Sequence, residues 1–286
     1  MNEPLLEVEN LGVEFPTKGA GRKPFRALAE VNFAVAAGET LGLVGESGSG
    51  KTTIGRAILG LVEPTEGAIR FDGREITHAS RRERRALSRD IQVVFQDPYT
   101  SLNPSLTIGQ ILAEPLRAQG TSRTDAWKRV HELLDRVKLP TDAVGRLPRE
   151  FSGGQRQRIA IARALALSPR LIVCDEPVSA LDLATQERVL ELFIEIQQQT
   201  GVAYLFVSHD LSVIRHVSHR VLVLYRGKLV ETGGVEKVTG DPDHPYTRRL
   251  MMSAPLPDPA AQRDRREQLL ALRAQEDAAE RDAGAA

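Results

Sequence analysis

Gly45-Glu46-Ser47-Gly48-Ser49-Gly50-Lys51-Thr52 joins an apolar run, Thr40–Val44, to a stretch whose pattern predicts a helix from Lys51 to about Leu61. Its glycines let the backbone fold tightly, so that successive N–H groups point at one small volume, and the helix N-terminus that follows adds a dipole favourable to negative charge. Such a loop is built to hold phosphate oxygens. Lys51 is expected to bind β- and γ-phosphates as a point charge, Thr52 to offer its hydroxyl to Mg²⁺, and Thr53 to continue the nucleotide-binding run. Strand, glycine loop and helix in that order are the context in which the pattern is specific.

Working outward, Leu5–Val8, Val31–Val35, Gly67–Phe71 and Ile91–Phe95 read as strands. Arg81-Arg82-Glu83-Arg84-Arg85 opens a charged stretch with the character of a solvated helix face. Ile108, Ile111, Leu112 and Leu116 then recur at helical spacing, as do Trp127, Val130, Leu134 and Val137, so the middle of the chain reads as a helical insert. From Leu171 strands and helices alternate again: strands at Leu171–Cys174, Ala203–Ser208 and Val221–Tyr225, helices near Thr185–Gln198 and Leu211–Val217. That alternation implies a mostly parallel sheet, hence an α/β fold. Beyond Ala254, Pro255, Pro257 and Pro259 break the chain, and the Arg/Glu/Ala-rich remainder is expected to be a solvated helix fraying into disorder. No internal repeat is visible, which implies one nucleotide-binding unit.

A chain of 286 residues accommodates one large domain with appended parts. Lys plus Arg and Asp plus Glu both total 38, so no global basic field draws it to nucleic acid. Cys174 is the only cysteine, which excludes an internal disulfide and suits a reducing compartment. Met1-Asn2-Glu3-Pro4 lacks the regions of a signal peptide and no apolar run approaches the ~20 residues of a membrane helix, so any membrane role is expected to be peripheral.

The apolar run Leu171–Cys174 delivers Asp175 and Glu176 to a strand's carboxyl end, where open α/β sheets place their ligands. With the glycine loop upstream, Asp175 is expected to hold Mg²⁺ through water and Glu176 to polarise the attacking water. Cys174, inside the apolar run, reads as a small buried hydrophobe.

Phe151-Ser152-Gly153-Gly154-Gln155-Arg156-Gln157-Arg158, shortly before those carboxylates, resembles the signature sequence of ABC-type ATPases. Ser152-Gly153-Gly154 at the start of a helix running to about Leu167 forms a second anion site, with Gln155 completing the motif. The resemblance implies a P-loop NTPase (RecA-like) core carrying an antiparallel β subdomain and an inserted helical subdomain. It also implies that two such ATPases sandwich two ATP molecules, each signature completing its partner's site. The implied division is 1–96, core with β subdomain; 97–160, helical subdomain; 161–240, second part of the core; and 241–286, a C-terminal extension. Gln96, locally a turn glutamine, resembles the Q-loop residue that reaches Mg²⁺ and the attacking water. His209, which as a lone strand-end histidine is as readily structural, resembles the switch histidine on the γ-phosphate. Asp182, in Ser179-Ala180-Leu181-Asp182, resembles a D-loop residue facing the partner, although by itself it reads as a helix cap. Phe15 is the candidate for stacking on adenine, against ordinary core packing.

Two stretches narrow the resemblance. Val94-Phe95-Gln96-Asp97-Pro98-Tyr99-Thr100-Ser101-Leu102-Asn103-Pro104 is similar to the Q-loop region of peptide-import ATPases. Asp241-Pro242-Asp243-His244-Pro245-Tyr246-Thr247-Arg248-Arg249-Leu250 looks like the His-Pro-Tyr-Thr segment of dipeptide, oligopeptide and nickel importers, and locally reads as a Pro-flanked turn opening a short helix. Some such proteins continue into a cysteine-rich stretch holding an iron–sulfur cluster; with a single cysteine, no cluster is expected here. The resemblance further implies two membrane permease subunits, an external solute-binding protein acting indirectly, a related or identical second ATPase, and a place on the cytoplasmic face of the cell membrane. A DNA-repair ATPase would need a long coiled coil between glycine loop and signature, where this sequence holds only short helices, and a translation factor would usually fuse two such domains. A nucleotide-sensing scaffold would not need Lys51, Glu176 and His209 together.

Overall fold

A computed structural model describes residues 3–17 and 23–253. Its strands are β1 (Leu6–Phe15), β2 (Phe25–Val35), β3 (Thr40–Val44), β4 (Glu66–Phe71), β5 (Arg74–Glu75), β6 (Ile91–Val94), β7 (Leu171–Asp175), β8 (Ala203–Ser208), β9 (Arg220–Tyr225) and β10 (Lys228–Gly234). Six form one sheet in the order β10-β9-β3-β8-β7-β6, parallel except for β10 at the edge. The other four form an antiparallel sheet, β2-β1-β4-β5.

The parallel strands are near-continuous apolar runs because both faces are covered. On β8, Tyr204 and Phe206 point into one hydrophobic cluster while Ala203, Leu205 and Val207 point into the other. β7 and β9 divide in the same alternating way. The first cluster packs the sheet against helices Gly153–Ala164 and Leu183–Thr200 and the helical insert. The second joins it to helix Lys51–Ile58 and to the inner face of the antiparallel sheet. Phe193 anchors the first cluster, edge-on to Tyr204 and Phe206 with both centroid distances at 5.4 Å.

The insert is built from helices Ile108–Ala118 and Arg123–Arg136. Thr107 and Gln110 form a capping box on the first, and the Ser122 hydroxyl accepts from Asp125 N–H on the second.

Differences from the sequence reading have local causes. β1 and β2 extend well beyond Leu5–Val8 and Val31–Val35, because register shifts and positive φ at Asn10 (48°) and Glu30 (54°) interrupt their alternation. β10 is half exposed and lacks an apolar run, so it carried no strand signal. The helix from Lys51 stops at Ile58 rather than about Leu61, with Gly60 at a left-handed φ of 70°. Beyond Ala164 the signature helix continues only as a 3₁₀ turn, Leu165–Leu167. Helix Arg81–Leu87 buries no whole residue, yet Arg84 reaches inward to donate to the carbonyls of Ile58, Ile76 and Thr77. The expected tail beyond Ala254 lies outside the described residues.

Because β3, β6, β7 and β8 are parallel, their carboxyl ends open on one side of the sheet. The glycine loop, Gln96, Asp175 with Glu176, and His209 are the residues that follow or finish those strands.

Candidate active site

Val44 ends β3 and the chain turns at once into the glycine loop. A β-carbon on Gly45 would lie 2.2 Å from the Leu224 carbonyl oxygen, so only glycine lets the loop press against β9. Ser49 N–H donates to Glu46 O at 3.1 Å, and Gly227 N–H, in the β9–β10 turn, donates to Ser49 O at 3.0 Å. Lys51 opens helix Lys51–Ile58 and is 5% exposed. Its ammonium donates to Gly45 O at 2.7 Å and Glu46 O at 2.9 Å, which holds the positive charge at the mouth of the loop. Burial pulls Lys51 below the ordinary lysine value, against the opposing pull of Glu176, Asp175 and Glu46.

Asp175, at the end of β7, accepts a hydrogen bond from the Thr52 hydroxyl at 3.1 Å. Burial raises its pKa and the Glu176 charge adds to the rise, while the Thr52 hydrogen bond, Arg56 and Lys51 oppose it. A carboxyl group whose folded pKa lies above its unfolded value opposes folding at neutral pH, and that cost lifts as the pH falls through the folded pKa. Asp175→Asn keeps the shape and the acceptor for Thr52, so we expect it to raise the thermal midpoint at pH 7. A lower midpoint in calorimetry would show that Asp175 stabilises the fold as an ion.

Glu176 follows with a φ of 49°, unusual for a residue with a side chain. Its N–H donates to Val207 O at 3.0 Å and its carbonyl accepts from the Ser179 hydroxyl at 3.1 Å, so the surrounding structure fixes the strained turn. The turn aims a single carboxylate oxygen into the site. Glu176 Oε2 lies 3.0 Å from His209 Nδ1, beyond β8, and receives Gln96 Nε2 at 3.4 Å from beyond β6. Two residues far from Glu176 and from each other in sequence therefore converge on one of its atoms. Cys174, buried in β7, has its thiol pKa raised well above the usual value by burial, as suits a small hydrophobe.

Ser47, Gly48, Gly50, Lys51, Thr52, Thr53, Gln96 and Glu176 line one cleft of about 410 Å³. Phe15 and Phe25 stand in it, directly paired across β1 and β2 and partly exposed at 38% and 58%. Both rings are exposed rather than packed into the core. Phe25 carries little signal in the sequence: an aromatic flanked by Lys23, Pro24 and Arg26 at a strand's start.

The model for the ABC transporter family matches residues 28–179, which includes the glycine loop, the signature and both carboxylates. The chain belongs to this family. It is 49% identical over 263 residues to a "Putative peptide import ATP-binding protein" of Brucella ovis, covering 92% of this chain and 82% of that one. It is 48% identical over 269 residues to the glutathione import ATP-binding protein GsiA of Salmonella paratyphi A, covering 92% of this chain but 43% of GsiA. Among solved structures, an ATP-binding cassette, MJ0796, in a dimeric post-hydrolysis state bound to ADP and Pi superposes with a TM-score of 0.72 at 32% identity, covering 80% of this chain and 98% of that one. The cbiO1 protein of Clostridium perfringens, part of the ABC transporter complex cbiONQ, gives 0.75 at 26% identity, covering 84% and 92%. The α/β fold, with its antiparallel sheet and helical insert, is thus that of an ABC ATPase, and the chain binds and hydrolyses ATP.

The ABC signature lies apart from the cleft that its own chain forms. Ser152 caps helix Gly153–Ala164, its hydroxyl accepting from Gln155 N–H at 3.3 Å while Gln155 Oε1 accepts from Ser152 N–H at 3.0 Å. A β-carbon on Gly154 would meet Thr185 Cγ2 at 2.2 Å, so helices Gly153–Ala164 and Leu183–Thr200 approach closely at this glycine. Asp182 caps that second helix, accepting from Thr185 N–H at 3.0 Å. Gly153 and Gly154 thus lie beside Leu181 and Thr185, the residues around Asp182, and neither Asp182 nor Ser152–Gln155 lines the cleft that holds Lys51. Among the described residues no helix is long and apolar enough to cross a membrane.

Proposed function

We propose that this ABC ATPase powers an importer of di- or oligopeptides or a similar small solute. The observation that carries the hydrolytic part is the convergence of Gln96 and His209 on Glu176 Oε2, in the cleft that also holds Lys51. In the proposed chemistry Lys51 and the loop amides hold the β- and γ-phosphates, Phe15 and Phe25 sandwich or flank the adenine, and Glu176 accepts the proton of the attacking water. His209 fixes the orientation of the Glu176 carboxylate and faces the γ-phosphate. Gln96 ties the same carboxylate to the segment leading into the helical insert.

The Thr52 hydroxyl and Asp175 carboxylate, 3.1 Å apart at the loop, are hard oxygen donors of the kind Mg²⁺ takes, with Gln96 within the same cleft. Bound Mg²⁺ would neutralise charge that develops on the phosphates. Magnesium takes few protein ligands alongside phosphate and water, which fits one hydroxyl and one carboxylate.

The complete site needs a second ATPase, identical or related, whose Ser152-Gly153-Gly154-Gln155 equivalent would face the γ-phosphate and whose D-loop would meet Asp182. Of two permease subunits, one would seat against this chain where the helical insert meets the Gln96 segment, beside the groove that includes Leu59, Leu61, Leu87 and Phe95, and the other against the second ATPase. The chain would lie peripherally on the cytoplasmic face of the membrane, and a solute-binding protein would act from outside. On this reading the parts are 1–96 and 161–240 for the core, 97–160 for the insert and 241–286 for the extension. The solute never touches this chain, so the 48% identity to GsiA keeps glutathione import as a second reading. Purifying the tagged ATPase from its native membrane is expected to bring down two permeases, and their binding protein would name the solute. Recovery of ribosomes or DNA instead would overturn the transporter reading.

A further inference from the structure

The glycine loop is gripped from behind by the segment that opens the C-terminal extension. Tyr246, in helix Pro245–Ser253, is 2% exposed, and its hydroxyl oxygen accepts the Glu46 N–H at 2.9 Å. Glu46 is the second residue of the loop, and two hundred positions of sequence separate it from Tyr246. The tyrosine ring stacks on Tyr225 at 4.1 Å, with the Arg249 guanidinium 5.2 Å from the Tyr246 ring. Tyr225 immediately precedes the Arg226-Gly227 turn whose amide donates to Ser49 O. The loop is thus held at two points by residues that do not line the cleft: Glu46 by Tyr246, Ser49 by Gly227.

The segment leading to Tyr246 is itself anchored. Glu231 of β10 accepts the N–H groups of Asp243 and His244, at 2.8 and 3.1 Å, on its two carboxylate oxygens. Lys237 bonds to Asp241 and Asp243, and Arg248 to the carbonyls of Pro242 and Asp243. This many local bonds fix where the Tyr246 hydroxyl stands. None of residues 241–253 lines the cleft, so an effect of this strap on nucleotide must pass through the loop.

We propose that Tyr246 is a positioning residue for the phosphate-binding loop, holding the Glu46 amide and with it the loop's binding-competent shape. The Glu46 amide is partly buried, and leaving it without its acceptor is unfavourable, so a loop that must relax to satisfy it spends less time in the shape that takes phosphate. Apparent affinity falls in proportion to the competent fraction. By the reciprocity of linked equilibria, nucleotide binding tightens the strap. The inference rests on Gly45–Thr52 being the phosphate site.

Tyr246→Phe removes the hydroxyl and keeps the stacked ring. It is expected to raise the dissociation constant of a fluorescent ATP analogue and the KM for ATP by about 3- to 10-fold, the worth of one neutral hydrogen bond, with kcat within about 2-fold of wild type. Glu231→Gln, which weakens the anchor without touching the loop, is expected to move KM the same way, and the double variant less than the product of the two. In wild-type protein, a non-hydrolysable ATP analogue should slow amide exchange across 241–253, an effect lost in Tyr246→Phe. Unchanged KM and affinity in Tyr246→Phe while the wild type binds ATP would overturn the inference and leave the phosphate site standing. Equal losses of kcat and stability without a change in KM would also overturn it, by making Tyr246 a general packing residue. A wild type that bound no ATP would overturn the site and the inference together.

Discussion

Glu176→Gln is expected to keep ATP bound while kcat falls by at least ~10²-fold, the size associated with losing a general base. The amide preserves shape and can still accept from His209 and Gln96 through one oxygen, so the constellation around Oε2 at 3.0 and 3.4 Å need not rearrange. It cannot take a proton at neutral pH. Removing the carboxylate also removes one of the negative charges beside Lys51, so phosphate binding meets less repulsion. Binding without hydrolysis should then accumulate the ATP-bound pair of ATPases. Phosphate release, titration with a fluorescent nucleotide and size-exclusion chromatography read the three effects separately. Turnover like that of the wild type would sink the role assigned to Glu176. Loss of binding together with turnover would point instead to a structural carboxylate that holds the turn at φ 49°.

What could be read beforehand follows how local each signal is. The glycine loop and the strand bearing Asp175 and Glu176 announce themselves, because their chemistry depends on contiguous residues at a strand end. Parallel strands covered on both faces leave apolar runs, and β3, β7 and β8 were accordingly found close to their true limits. His209 and Gln96 were different. Their roles came from a family resemblance, and what links them to Glu176 is the parallel order of β6, β7 and β8, which no single stretch encodes. β10 and most of β1 escaped because bulges and half-exposed positions erase the alternation that marks a strand. Phe25 escaped for a related reason: its meaning lies in facing Phe15 across a strand pair. The Tyr246 hydroxyl was the least legible, since a contact between residues so far apart leaves no pattern at either end.

Lys51→Ala separates binding from chemistry in the opposite direction. The ammonium is nearly buried and donates to two loop carbonyls at 2.7 and 2.9 Å, so its removal strips the site of its main positive charge and the loop of an internal brace. Truncating one member of a close, desolvated charge pair commonly weakens binding by 2–5 kcal/mol, so affinity for ATP should fall by at least ~30-fold and probe binding should vanish at ordinary concentrations. Two opposing effects act on the fold: the loop carbonyls of Gly45 and Glu46 lose their donor, and a buried charge is removed. Burial holds the Lys51 pKa below the ordinary lysine value, which means that the charged ammonium at neutral pH opposes folding, and the opposition fades only as the pH rises through the folded pKa. Alanine relieves that penalty while leaving the helix with its best former. A thermal midpoint that moves little, combined with lost nucleotide binding, would identify Lys51 as a residue kept for phosphate rather than for the fold. Retained affinity in this variant would mean that the loop amides alone hold the phosphates, and the same titration that finds Glu176→Gln still able to bind would expose it.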